Sequence, residues 1–364
     1  MISKQHDTHR LTDWSVVPTL LLVVISLLPR AVADSSAAPQ KDSTIEARQA
    51  LRAMAEARGR FSSGVATIQG HKLTKRAFPG AKKVQAETVD ATLRGLYAFD
   101  DARHLLRYDN NEPFFTRSIS AETLRGKDSA AMRAAVEGIV PVPWDTKLRY
   151  VRNKDYSASW REDGANSRSS VNVQWPDSSR GGLVESRHHL FDLRSCGVID
   201  YRQFQSGAPA HGEKIEEVFN RLSQHTIQAV RKNDDIVTLS LVSEEATHRL
   251  AIDTKNGFTA VEYIVELRHD RAVSKSRVTW KQAGNVWVPK TFSIEFDAPR
   301  AGRYSRYDFE FTWNHVNELV DRSYFDYKSF TDVWDDVVVV DGRRPDFPRL
   351  GVWKNGHCVE GDQR

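Results

Sequence analysis

The sequence predicts an α+β fold in a single domain, and three observations carry that prediction. One amphipathic helix opens the region after the leader, period-2 alternation then dominates, and tight-turn residues fall between the alternating runs. At 364 residues the chain is long enough to bury a sizeable core.

Residues 1–33 read as a secretory signal peptide. Lys4 and Arg10 precede the apolar run Val16 to Leu28, and Ala31-Val32-Ala33 supplies the small residues before Asp34. The run is about 13 residues, short of what roughly 30 Å of hydrocarbon requires at 1.5 Å per residue. No later apolar run reaches spanning length, so the chain is expected to be exported and, once the signal is cleaved, not integral to a membrane. Residues 34–42 are small, polar and aperiodic, which reads as a tether.

From Ser43 a helix of about 15 residues is expected. Ser43-Thr44-Ile45-Glu46 has the capping-box spacing, Ala47, Ala50, Leu51 and Met54 recur on one face, and Gly59 is placed to stop the helix. The period then falls to 2. Leu93, Gly95, Tyr97 and Phe99 alternate with Thr92, Arg94, Leu96 and Ala98, and Val237, Leu239 and Leu241 with Thr238, Ser240 and Val242. Later come Val261, Tyr263, Val265 and Leu267 against Glu262 and Glu266, Phe292, Ile294 and Phe296 against Ser293 and Glu295, and Phe309, Phe311 and Trp313 against Asp308, Glu310 and Thr312. Such runs are half-buried antiparallel strands.

Asn256-Gly257, Gly284-Asn285 and Asp100-Asp101 sit where hairpins need turns, so sequential strands are expected to neighbour one another. Ile215, Val218, Phe219 and Leu222 mark a second helix within 213–225. Residues 43–345 are therefore expected to form one domain, with an insertion around 112–190 and a C-terminal tail over 346–364. Within the insertion, Ala121 to Val140 reads as helical and Glu162 to Arg180 largely as loop. No repeat of 20–50 residues is present.

Composition narrows function. Fifty-two Lys and Arg against 48 Asp and Glu, mixed along the chain, leave no basic block for nucleic acid. The strings His-Glu-x-x-His, Gly-x-Ser-x-Gly, Gly-x4-Gly-Lys-Ser/Thr, Cys-x-x-Cys and Gly-x-Gly-x-x-Gly after a strand are absent, and neither an enzyme nor a cofactor or metal is expected. His188-His189, with Asp192 three residues on, is the densest histidine site, but adjacent histidines diverge and do not suit one metal. Asp332, Asp335 and Asp336 lack the calcium-loop continuation and read as a solvated run. Cys196 and Cys358 either form a disulfide closing a long loop or stay as separate thiols.

The aromatic faces admit two readings. They fill the contact between sheet and helices, or, since at least nine strands face only two or three helices, they leave an apolar concavity. In the second reading Leu93, Tyr97, Val261, Tyr263, Val265, Phe292, Ile294 and Phe309 line a pocket for an acyl chain.

The order of a capped helix, the strand Phe61 to Ile68, a meander, a helix, and then Ile252-Asp253-Thr254-Lys255-Asn256-Gly257 leading to Trp287-Val288-Pro289-Lys290 resembles the LolA-like outer-membrane lipoprotein carrier family. The layout covers residues 43–330, most clearly 226–330. The resemblance implies a curved antiparallel half-barrel with a few helices on its concave face, a place in the periplasm or cell envelope, and a lipid or lipoprotein acyl chain as partner. The chain departs from the short carriers in its extra length near 112–190 and after 330. The resulting expectation is a non-catalytic binder of a lipid or lipidated partner; the alternative is an interaction or scaffold protein with a filled core.

Overall fold

The computed structural model describes residues 41–77, 86–116, 142–162, 170–176, 192–206 and 215–360. The signal peptide, most of the tether, the expected helix at 121–140 and His188-His189 lie outside the described residues.

The described residues fold as one large, curved, unclosed sheet, antiparallel but for one strand pair, with a few helices on its concave face. Helix α1 (Lys41–Gly59) leads into β1 (Ser63–Ala77), which lies in the middle of the sheet. To one side run β2 (Ala86–Asp100), β3 (Leu105–Thr116), β4 (Val142–Arg152), β5 (Ser157–Glu162) and β6 (Val171–Gln174). After the short α2 (Tyr201–Ser206) and α3 (Ile215–Ser223), a second meander returns toward the middle. It comprises β7 (Thr226–Asn233), β8 (Ile236–Val242), β9 (Ala246–Asp253), β10 (Thr259–Leu267), β11 (Val273–Ala283), β12 (Val286–Ala298) and β13 (Arg303–Val316). β13 pairs with β1 and joins the two halves.

The expected turns form as their residues dictate. Gly257 (φ 71°) lies between β9 and β10 and Gly284 (φ 60°) between β11 and β12, both in the left-handed region. Curvature comes from bulges, which bend a strand and strengthen its twist. In β12, Pro289 sits beside such a register shift opposite Trp280, where the missing N–H interrupts the ladder least.

Two expectations need correction, and one open alternative is answered. The stretch 112–190 is not simply an insertion, because β4, β5 and β6 extend the sheet through it, and Val171 to Gln174, expected as loop, is a strand whose Val171 and Val173 are buried. Residues 346–364 are not simply a tail. The chain crosses back after β13, places β14 (Val338–Asp341) parallel to β6, and ends the sheet with β15 (Arg349–Lys354) and β16 (His357–Glu360). Cys196 and Cys358 are free thiols: Cys196 is buried in the main core, and Cys358 is half-buried against a second one.

The main core lies between the helices and the inner face of β1–β4 and β7–β13. The second covers the opposite face of β4–β6, β14 and β15, where Tyr327, Phe330, Val333 and Val337 of the returning segment pack on Val151, Trp160, Val173 and Trp353. That segment has little regular structure of its own, so its carbonyls need partners. Arg103 donates to Val320 O at 2.6 Å, Arg107 to Tyr324 O at 3.1 Å, Asn153 to Phe325 O at 3.1 Å and Arg149 to Thr331 O at 3.1 Å. Arg149 also reaches Asp332, so this member of the acidic run is paired.

Candidate functional site

The concave face is largely occupied by the chain itself. Residues 192–199 are buried almost throughout, and Leu193, Cys196, Val198, Ile199, Tyr201 and Phe204 belong to the main core. This irregular segment is held by polar anchors. Arg194 pairs with Asp192 (2.5 Å) and with Asp101, and donates to Phe61 O at 3.2 Å. Asp200 and Gln203 form a reciprocal capping box at the start of α2, both bonds 2.9 Å.

The eight expected pocket residues do not line one cavity. Tyr97, Phe292 and Ile294 are fully enclosed in the core. Phe309 is half-buried, its ring laid over Gly70 on the neighbouring strand, where a Cβ would come within 2.8 Å of it. With Leu93 it lines a void of ≈ 30 Å³, room for about two waters. Glu112 borders the same void and is bound by Lys72 at 2.5 Å, a buried ion pair. Val261 leaves the set altogether. It is the extra residue of a bulge, since Ala260 pairs with Ile252 and Glu262 with Ala251, so Ala260 takes the buried position and Val261 is half-buried.

Tyr263 and Val265 lead elsewhere. Together with Leu222 and Leu267 they line an open cleft of ≈ 250 Å³ between α2, α3, the strands β9 and β10 and the turn that joins β8 to β9. An engineered cavity of about 150 Å³ admits benzene, so this one has room for roughly ten non-hydrogen atoms. Its polar wall is a chain of hydrogen bonds: His248 Nδ1 lies 2.8 Å from the Tyr263 hydroxyl and its Nε2 lies 3.2 Å from Ser243 Oγ. His225, just past α3, stacks on His248 at 4.6 Å with planes 14° apart. Arg202, Arg221, Asp200 and Glu245 stand around the cleft.

Electrostatics keep this wall neutral. Burial, then the neighbouring His225, lowers the pKa of His248 to about 4, and burial also lowers that of His225. Burial pushes the Tyr263 hydroxyl up, and it raises the Asp200 carboxyl above the usual range. Ser243 Oγ accepts the Ala246 N–H at 3.2 Å, as a turn residue does, and both nitrogens of His248 face hydroxyls. The wall thus offers uncharged donors and acceptors to whatever enters the cleft, and among the described residues His248 is hydrogen-bonded to hydroxyls and to no carboxylate. Sequence reasoning passed over these residues, yet one signal marks His248. It occupies the inward register of Ala246, Leu250 and Ile252 on β9. His225, Arg202 and Arg221 carry no such mark, because only the fold brings them to the cleft.

No protein-family model matches the sequence, and no curated protein matches it. Among solved structures the chain is similar to a domain from Vibrio parahaemolyticus described as an outer-membrane lipoprotein-sorting protein, with 10% identity, 76% of this chain and 97% of that chain covered, and a TM-score of 0.38. The sheet order and the helices packed against it define the architecture alone: a large, curved, unclosed sheet, a half-barrel with a few helices on its inner face.

Proposed function

We propose that the protein is an exported, non-catalytic binder of an acyl-bearing lipid or lipidated partner, and that its ligand makes its first contacts in the cleft below α3. The observation that carries this reading is the cleft itself, an opening of ≈ 250 Å³ with apolar residues facing a wall of neutral hydrogen-bonding groups. About six buried methylenes at roughly 0.8 kcal/mol each give about 5 kcal/mol, from which the cost of immobilising the ligand is subtracted. Hydrogen bonds from the head group to the polar wall, about 1 kcal/mol each, offset much of that cost, and weak binding of hundreds of micromolar follows. Among the described residues, no helix is long and apolar enough to cross a membrane. Export with cleavage after Ala33 is part of the proposal, and N-terminal sequencing of the exported form tests it; a mature chain that still begins near Met1 refutes it.

The filled centre of the concave face favours a second reading, an interaction protein without a small-molecule ligand. A delipidated preparation titrated with a fluorescent acyl probe separates the two. Val218→Trp and, independently, Gln203→Trp add volume at the cleft and should block the probe more than they lower the melting temperature. If the unmutated protein binds no acyl probe at several hundred micromolar, the second reading replaces the first.

A further inference from the structure

Resting on that reading, we propose that the cleft selects amphiphiles with an anionic head, whose carboxylate or phosphate oxygens are taken by Arg202 and Arg221 while the start of the alkyl chain lies against Leu222, Val265 and Leu267. Both guanidinium groups belong to residues of the cleft wall, one from α2 and one from α3. Arg202 is half exposed, and its ion pairs to Glu245 (3.9 Å) and Asp270 (3.6 Å) are longer than hydrogen bonds. Loose pairs of this kind in water are weak and exchange readily for a better acceptor.

The negative groups nearby do not cancel this preference. Asp200 is committed to the α2 capping box, accepting the Gln203 N–H, and burial favours its neutral form. Glu245 and Asp270 are 77% and 65% exposed, so water screens them far more than the cleft interior. The remaining polar wall, His225, His248, Tyr263 and Ser243, is neutral near pH 7 and offers hydrogen bonds to either charge. An anion placed there makes imidazole protonation easier, so its binding takes up protons as the pH falls below neutrality. A cationic head gains only the hydrogen bonds of the neutral wall and meets two guanidinium groups.

Four ten-carbon amphiphiles test this on the full exported chain by calorimetry at pH 7 and pH 6: decanoate, decyl phosphate, decanol and decylamine. Decanoate or decyl phosphate should bind about tenfold more tightly than decanol, with decylamine weakest. Whichever anion is tighter tells a carboxylate head from a phosphate head. Arg202→Gln and Arg221→Gln should each remove most of that advantage while leaving decanol binding unchanged, and His248→Gln should reduce the proton uptake measured in buffers of different ionisation enthalpy. Equal binding of decanol and both anions overturns the head-group assignment and leaves the acyl reading standing. So does loss of decanol together with decanoate in the arginine variants, which would mark a structural role. Absence of binding by all four overturns the acyl reading and this inference with it.

Discussion

His248 stacks on His225 at 4.6 Å while its Nδ1 lies 2.8 Å from the Tyr263 hydroxyl, so the pair is built for two uncharged rings. The folded-state pKa of His248, about 4, lies below the ordinary 6.5. The unfolded chain therefore takes the proton first, and stability present above about pH 6.5 declines as the pH falls toward 4. After discounting for solvent screening the loss is on the order of 2 kcal/mol. Urea titrations between pH 7 and pH 4.5 should show this slope, and His248→Gln should flatten it. The depressed carboxyls of Glu262 and Asp341 lose their contribution below that window, and the raised carboxyls of Asp109 and Asp200 act in the opposite sense. Comparing variant with parent isolates the imidazole.

Gly197 carries the buried segment past the sheet with φ 85°, and a Cβ there would meet Ala260 O at 2.8 Å and Val278 Cγ2 at 3.0 Å. Gly197→Ala thus combines left-handed strain with a backbone clash and should cost about 2–4 kcal/mol. Gly284→Ala, also left-handed at φ 60° but with open space around it, should cost about 1 kcal/mol. Denaturation midpoints of the two variants give the comparison; equal costs would show that the segment does not press on β10 and β11.

What could be read from the sequence was whatever depends on a local period. The strands from Leu93 to Phe99 and from Phe292 to Trp313 announce themselves by alternation, and Asn256-Gly257 by its turn chemistry. The cleft could not be read so, because Arg202 follows an irregular segment and meets Arg221 and His225 only after α3 has folded back over β9 and β10. Val261 was misplaced because a bulge breaks the period without changing any residue's hydrophobicity. The C-terminal strands were missed because β14 pairs with β6, 168 residues earlier (Val339 with Val171), a contact that no local pattern encodes.

Phe311 is enclosed (3% exposed) while Phe309, two residues before it on the same face, is half-buried, and Glu310 between them points to water. Phe311→Ala should cost about 3–5 kcal/mol, with Phe309→Ala smaller because less surface and a smaller cavity are involved. Glu310→Ala should stay within about 0.5 kcal/mol. The order of the three in chemical denaturation is the check, and a Glu310→Ala cost matching that of Phe311→Ala would mean the face has been assigned wrongly.

Arg58, in the last turn of α1, is 2% exposed and donates to Trp287 O at 2.6 Å with its guanidinium 4.3 Å above the Trp280 ring. Its Nε and Nη2 find no hydrogen-bond partner among the described residues, and burial lowers its pKa to about 10. The cation–π contact, about 2 kcal/mol, offsets only part of the desolvation. Arg58→Met should therefore lie within about 1 kcal/mol of the parent in thermal unfolding. A loss of several kcal/mol would show that Trp280 and Trp287 depend on the charge.

Arg107 makes the opposite case. It binds Asp109 at 2.6 Å on the face covered by the returning segment, and it also donates to Tyr324 O and, at 2.8 Å, to Ser329 Oγ. Asp109 is 8% exposed and its Oδ1 already lacks a hydrogen-bond partner among the described residues. Arg107→Met removes the counter-charge and releases two groups of the segment, which should cost about 3–5 kcal/mol. Asp109→Leu frees Arg107 from its pair but leaves the bonds to Tyr324 and Ser329, and should cost less. The double variant replaces the pair by apolar surface and should recover about 1–3 kcal/mol of the Arg107→Met loss, since no buried carboxylate then goes unpaired. Recovery locates the energy in the pair, whereas a double variant as unstable as Arg107→Met locates it in the bonds to the segment, and a fully additive cycle refutes the coupling.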